Sequence, residues 1–180
     1  MYEVEVKVRA EHGPVREALG DQGAERTDVV DQIDTYFDAP HRDFSATDEA
    51  LRIREERPLD RPPTFSLAYK GPKVDAESKT RREVEIDLPE PHRMSDVLES
   101  LGFSPVATVE KERERYALGA CTVTLDTVDG LGTFVEAEAK SSQDSMERTR
   151  NEVFDVLRKL DLDPSNQLRT SYLELLLRPE

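Results

Sequence analysis

Charge and hydrophobicity alternate along this chain with a period of two, and they do so about eight times. A run with that period is a strand whose side chains point alternately to opposite faces of a sheet. In residues 2–9, Tyr2, Val4, Val6 and Val8 share one face, and Glu3, Glu5, Lys7 and Arg9 share the other. Residues 32–38 end in Tyr36-Phe37-Asp38 ahead of Pro40, which suits a strand stop. Leu51 and Ile53 oppose Arg52 and Arg54, and Phe65, Leu67 and Tyr69 oppose Ser66, Ala68 and Lys70 before Gly71-Pro72. Val84, Ile86 and Leu88 oppose Arg81, Glu83, Glu85 and Asp87, and Lys111, Arg113 and Arg115 oppose Glu112, Glu114 and Tyr116. Cys121, Val123 and Leu125 oppose Asp126, and Val135 and Ala137 oppose Glu136 and Glu138, with Asp129-Gly130 and Gly132 as the turn between these runs.

Helical spacing is confined to a few segments. One helix begins after Pro14 and carries Val15, Ala18 and Leu19; a second runs from a Ser95 cap through Val97, Leu98 and Leu101 to Gly102. Met146, Val153, Phe154, Leu157 and Leu160 form an amphipathic stripe, and Ser165 to Leu177 reads as a last helix. One strand with a charged face is ordinarily a strand with that face in water. Repeated strands of this kind, joined to helices whose apolar stripes need a sheet to cover, predict something else. The expected fold is α+β: a closed antiparallel β-barrel, a tunnel of about eight strands, with helices packed outside. The apolar strand faces then lie under the helices and the charged faces line the lumen. A length of 180 residues suits one domain spanning 1–180.

Such a lumen is not a dry core. Buried cations must be answered by carboxylates, water, a metal or a polyanionic ligand. Arginine's planar fork fits phosphate oxygens, and here Arg52, Arg54, Arg113 and Arg115 accompany Lys7, Lys70 and Lys111. Glu3, Glu5, Asp126, Glu136 and Glu138 supply hard oxygen ligands of the kind that hold Mg2+ or Mn2+ against a phosphate.

The order of these motifs carries a resemblance. Glu3-Val4-Glu5-Val6-Lys7 is followed by Asp34-Thr35-Tyr36-Phe37-Asp38, Ala50-Leu51-Arg52-Ile53-Arg54, Tyr69-Lys70-Gly71-Pro72 and Arg81-Arg82-Glu83-Val84-Glu85. Then come Lys111-Glu112-Arg113, Leu125-Asp126-Thr127-Val128, Leu131 to Glu138, and Ser171-Tyr172-Leu173-Glu174-Leu175-Leu176. The series resembles the CYTH superfamily, the triphosphate tunnel enzymes that include class IV adenylyl cyclases, thiamine triphosphatases and inorganic triphosphatases. The resemblance implies that Glu3, Glu5, Asp126, Glu136 and Glu138 bind metal, and that Lys7, Arg52, Arg54, Lys70, Lys111 and Arg113 bind the triphosphate. It also implies catalytic roles for Tyr36 and Lys70 in activating water. The expected cofactor is Mg2+ or Mn2+, and the expected partner is a small-molecule triphosphate: ATP, thiamine triphosphate or inorganic triphosphate. The sequence reads most like the class IV adenylyl cyclase branch, which converts ATP to cyclic AMP and pyrophosphate. A triphosphatase and a non-catalytic polyphosphate or nucleotide binder stand as alternatives, and a homodimer is left open. Ala137 departs from the aliphatic usual in the cyclase-like branch.

A net charge of -14 argues against nucleic acid as a partner, because phosphate-backbone binding needs clustered accessible cations. No apolar run approaches the ~18 residues of a membrane span. The first residues lack the pattern of a secretory signal, and Cys121, the single cysteine, suits the cytoplasm and a small core position. His12, His41 and His92 share no metal-like spacing and read as surface residues. Arginine outnumbers lysine 18 to 7 against 39 acids, a balance resembling proteins of a salty, halophilic cytoplasm as well as an ordinary acidic cytosolic protein. The halophilic reading predicts a thermal unfolding midpoint that climbs steeply with KCl. A fold that persists well below physiological salt rejects it.

Overall fold

The computed structural model describes residues 2–177. Eight strands form: β1 (Tyr2–Arg9), β2 (Glu25–Asp38), β3 (Ala50–Pro58), β4 (Thr64–Lys73), β5 (Arg81–Asp87), β6 (Ser104–Leu118), β7 (Cys121–Val128) and β8 (Gly132–Ser141). They close an antiparallel barrel in the order β1-β5-β4-β3-β2-β6-β7-β8. Four helices pack outside or at its end: α1 (His12–Asp21), α2 (Pro91–Ser100), α3 (Met146–Lys159) and α4 (Tyr172–Leu176). All eight alternating runs are strands. β2 and β6 are longer than their alternation suggests, pairing from Glu25↔Ala117 to Asp38↔Ser104 with irregularities at Arg26/Asp28 and Tyr36/Phe37. Bulges of this kind bend a strand and let a long ribbon curl around a barrel.

The alternation decides which way each face turns. Val4, Val6 and Val8 of β1 join Val123, Leu125, Val135 and Ala137 outside the barrel, where Val153 and Leu157 of α3 and Val15 and Leu19 of α1 cover them. Cys121 is buried in this cluster and is a free thiol. Leu98 of α2 covers Phe37 and Ile53 on the opposite side. The outward face of β5 is the exception: Val84 and Ile86 are exposed and lie under no helix. The turn between β7 and β8 needs left-handed backbone at Gly130 (φ +75°) and Gly132 (φ +98°), where side chains are strained.

The helix boundaries correct three expectations. The first helix starts at His12, so Pro14 lies inside its first turn, where a missing N–H costs nothing. The second starts at Pro91, which takes the favoured first position, and Ser95 sits inside the helix instead of capping it. The segment from Ser165 is not one long helix: a 3-10 turn covers Pro164–Asn166, and the chain then runs on to α4. There Ser171 accepts from the Glu174 amide (3.1 Å) while the Glu174 carboxylate accepts from the Ser171 amide (2.6 Å), a reciprocal cap that starts a new helix. His12 is another correction. It is buried, and its Nε2 lies 3.1 Å from the Phe134 carbonyl oxygen.

One seam interrupts the barrel. β1 pairs with β8 over its whole length but with β5 only at Tyr2↔Arg82 and Glu3↔Arg81. Farther along β1, the Glu5 carbonyl accepts from the Lys79 amide (3.1 Å) and the Lys7 carbonyl accepts from the Leu168 amide (2.7 Å). The β4–β5 connection and the segment before α4 therefore close the gap, and the buried backbone groups stay paired. Among the described residues no helix is long and apolar enough to cross a membrane.

Candidate functional site

The charged faces turn inward around a cavity of about 1010 Å³. Each side chain arrives there by strand parity: Glu3 and Glu5 from β1, Tyr36 from β2, Arg52 and Arg54 from β3, Lys70 from β4, Lys111 and Arg113 from β6, and Glu136 and Glu138 from β8. Lys7 and Asp126 share this interior but stand behind the cavity wall, at 1% and 0% exposure.

The expected phosphate-binding cations fall into two groups. Arg54 is locked to Asp34 through two bonds (2.6 and 2.7 Å). Arg113 is likewise held, its Nε donating to Asp126 (2.6 Å) and its Nη2 to Glu136 (2.6 Å). Burial works against both guanidinium charges, yet the facing carboxylates raise each one's affinity for its proton. Arg52 is held loosely: Asp34, Glu83 and Glu85 lie 3.6, 3.7 and 3.9 Å away, and its buried Nε has no hydrogen-bond partner. Lys111 stands 3.8 Å from Asp126, and Lys7 stands 3.9 Å from Glu136 with its Nζ unpartnered. Burial, reinforced by Arg113, pushes Lys111 down to about 7, and burial with Lys79 nearby pushes Lys7 down to about 8. Both ammonium groups face the ring of Tyr172, at 4.1 Å for Lys7 and 4.9 Å for Lys111, a cation–π contact that offsets part of their lost hydration. Tyr172 also donates to Asp126 (2.8 Å).

The carboxylates divide as well. Oxygen atoms of Glu3, Glu5 and Glu138 all lie within 4.8 Å of one another. Burial, with Glu3, Glu136 and Glu5 close by, lifts Glu138 to about 7. Burial and a hydrogen bond with Glu3 lift Glu83 to about 7. Burial alone would raise Glu3 too, but Lys70, 2.6 Å away, holds it well below the usual carboxylate range. Acids crowded so closely that one keeps its proton near neutrality are short of positive charge, and a divalent cation with oxygen ligands supplies it. Glu3, Glu5 and Glu138 therefore fit a divalent cation. Asp126 and Glu136 are taken up by Arg113 and do not join this cluster. Tyr36 lines the cavity opposite Arg52, its cross-strand partner.

Sequence reasoning named Asp34 and Tyr172 only as motif letters and Glu83 only as part of a charged strand face, and their roles as partners of Arg54, the lysines and Lys70 emerge here. It missed Lys79, whose Nζ lies 2.8 Å from Glu5. Lys79 sits in a connection without alternation, so no periodic signal marks it.

A closed antiparallel barrel with ion-paired cations and a carboxylate cluster facing one internal cavity defines a class of tunnel-like barrel proteins. Comparison places the chain within that class: it matches the CYTH domain over residues 1–172 and belongs to that family. A Methanocaldococcus jannaschii protein, provisionally named an adenylate cyclase, is 39% identical over 178 residues, covering 97% of this chain and 98% of the relative. Adenylate cyclase CyaB of Aeromonas hydrophila is 26% identical over 143 residues, 79% of this chain and 70% of that protein. A solved Pyrococcus horikoshii structure superposes with a TM-score of 0.89 at 39% identity, covering 97% of this chain and 98% of that one.

The lock on Arg113 has a measurable consequence. Arg113→Met strands two buried carboxylates and is expected to lower stability by about 3–5 kcal/mol, whereas the loosely held Arg52, changed to Ala, costs much less. Urea unfolding of both variants without ligand checks this, and equal losses contradict the division.

Proposed function

We propose that this protein is a metal-dependent enzyme acting on a triphosphate held inside the barrel, with class IV adenylyl cyclase-like conversion of ATP to cyclic AMP and pyrophosphate as its reaction. The observation that carries the reading is a set of buried cations, Arg52 and Lys111 foremost, that face an internal cavity with donor capacity the protein does not use. A polyphosphate is the ligand that satisfies several such donors at once. The kinship to proteins named as adenylate cyclases supports the cyclase branch.

In this reading Arg52, Lys70 and Lys111 clamp the phosphate chain and spread the charge that develops on it, with Arg54 and Arg113 as fixed charges behind them. Lys7 contributes from behind the wall. Glu3, Glu5 and Glu138 would hold Mg2+ or Mn2+, which when bound neutralises phosphate charge. Glu136 and Asp126 take part in metal binding only by releasing Arg113. Tyr36 orients the attacking oxygen, and Lys70 fixes the phosphate that it approaches. Glu83, poised near neutrality, is the acceptor for the attacking hydroxyl's proton. In the cyclase that hydroxyl is the ribose 3'-hydroxyl, attacking the α-phosphorus. The same clamp serves water attack on the terminal phosphorus, so triphosphatase action is the second reading; the cations that face the cavity grip a phosphate chain whatever group it carries, which favours it.

Incubation with ATP, thiamine triphosphate and inorganic triphosphate, each with Mn2+ or Mg2+, is expected to give cyclic AMP and pyrophosphate from ATP. Orthophosphate without cyclic AMP overturns the cyclase reading in favour of the triphosphatase, and thermal stabilisation without product leaves a binder. The pH dependence tests the clamp separately. Lys111 is lowered to about 7 in the free protein, and bound phosphate favours its charged form. Tripolyphosphate affinity contributed by Lys111 is therefore complete below pH 7, falls as pH rises past that value, and is lost once pH passes the higher pKa of the phosphate-bound lysine. Lys111→Arg, which stays charged, is expected to bind more tightly than the wild type at pH 9 than at pH 6, by titration calorimetry; parallel pH profiles contradict the assignment.

A further inference from the structure

The connection from β4 to β5, residues 74–80, is built as a rigid bracket across the barrel seam. Asp75 accepts from the amides of Glu77 (2.6 Å) and Ser78 (3.2 Å), and the Val74 amide donates to the Thr80 carbonyl (2.9 Å). Ser78 and Thr80 are fully buried and share a hydroxyl–hydroxyl bond of 2.6 Å. From outside, Arg150 of α3 pairs with Asp75 (3.0 Å) and Glu77 (2.7 Å). Arg169 donates to the Asp75 carbonyl (2.6 Å), and Gln167 to the Glu77 carbonyl (2.6 Å). A backbone tied on both sides leaves the Lys79 side chain as the part that moves.

That side chain enters the lumen and rests on a carboxylate of the cluster that fits a divalent cation, with Nζ 2.8 Å from Glu5. It also lines the cavity. Lys70, by contrast, lies between two acids, 2.6 Å from Glu3 and 3.4 Å from Glu83, so it keeps a protein partner if a cation takes Glu3. Among the described residues, Lys79 is ion-paired with Glu5 alone. A divalent cation on Glu5 brings like charges to contact distance and pushes the ammonium away. Lys7, the neighbouring ammonium, repels it as well.

We infer that Lys79 is a tethered counter-ion: it occupies Glu5 while the metal is absent, gives way when the metal binds, and transfers its ammonium to a phosphate oxygen of the substrate. This rests on the metal and triphosphate reading above. It makes Lys79 a positioning residue that couples the two ligands, because a metal arriving alone leaves a half-buried cation in the lumen without a partner, whereas a metal arriving with a triphosphate does not.

The test is binding to the full chain without turnover. Free Mn2+ is followed by electron paramagnetic resonance in wild type, Lys79→Met and Lys79→Arg with no phosphate present. Binding of a non-hydrolysable, imido-bridged tripolyphosphate is followed by calorimetry at saturating Mn2+ and again in EDTA. Lys79→Met is expected to bind Mn2+ roughly tenfold more tightly and, at saturating Mn2+, the tripolyphosphate roughly tenfold more weakly, with a smaller loss in EDTA, where Glu5 competes for the ammonium, and with Lys79→Arg close to wild type throughout. A gain in Mn2+ affinity cannot arise from misfolding. If wild type binds Mn2+ and Lys79→Met binds it no better, or if tripolyphosphate affinity is unchanged, the inference is overturned and the proposed function stands. If neither protein takes up Mn2+, even with tripolyphosphate added, the metal reading falls and this inference with it.

Discussion

A barrel lined with ionic side chains is stable only while every buried charge has an opposite within reach, because an uncompensated ion away from water costs several kcal/mol. The pairs Arg54–Asp34 and Arg113–Asp126/Glu136 meet that condition across β2–β3 and across β6–β7–β8. They tie together strands that the apolar shell outside already packs. Buried ion pairs add little net stability compared with apolar packing, so α1, α2 and α3 and the clusters beneath them keep the barrel closed while the interior stays ionic.

The same condition separates scaffold from site. A guanidinium satisfied by two carboxylate bonds is fixed, and its charge acts as a constant field. Arg52, Lys111 and Lys7 are different: their partners stand beyond hydrogen-bond reach, and burial and neighbouring cations draw both lysines down towards neutrality. On the acidic side, Glu138 and Glu83 are drawn up towards the same range. Groups whose ionisation is held near neutrality by opposing forces respond to an arriving charge, and they gather at functional sites for that reason. The interior is thus balanced by itself, yet it holds groups whose ionisation an arriving charge would shift.

Much of this was legible in the residues. Strand parity placed Glu3, Glu5, Arg52, Arg54, Lys70, Arg113, Glu136 and Glu138 on inward faces, and in the barrel each of them lines the cavity. The alternation could not show the lengths of β2 and β6, because bulges shift the phase and Pro105 breaks the pattern. The C-terminal reading was too simple for a related reason: apolar residues from Leu168 to Leu177 keep helical spacing, but the capping box at Ser171 begins a separate short helix that carries Tyr172 into the interior. His12 looked like a surface residue because its buried partner, the Phe134 carbonyl, is distant in sequence.

What the sequence determined by itself was the set of charges and the side of each strand on which they lie, since both follow from a period that local backbone geometry imposes. It also determined that so many charged faces need an enclosed interior in which each charge is answered. Only the tertiary structure decided which charge meets which: that Asp34 is given to Arg54, that Asp126 and Glu136 are given to Arg113, and that Glu3, Glu5 and Glu138 crowd together. Those outcomes depend on register and barrel closure, which bring together residues from opposite ends of the chain. No local pattern encodes that distance, and the division between fixed and available charge exists only once the ring of strands is closed.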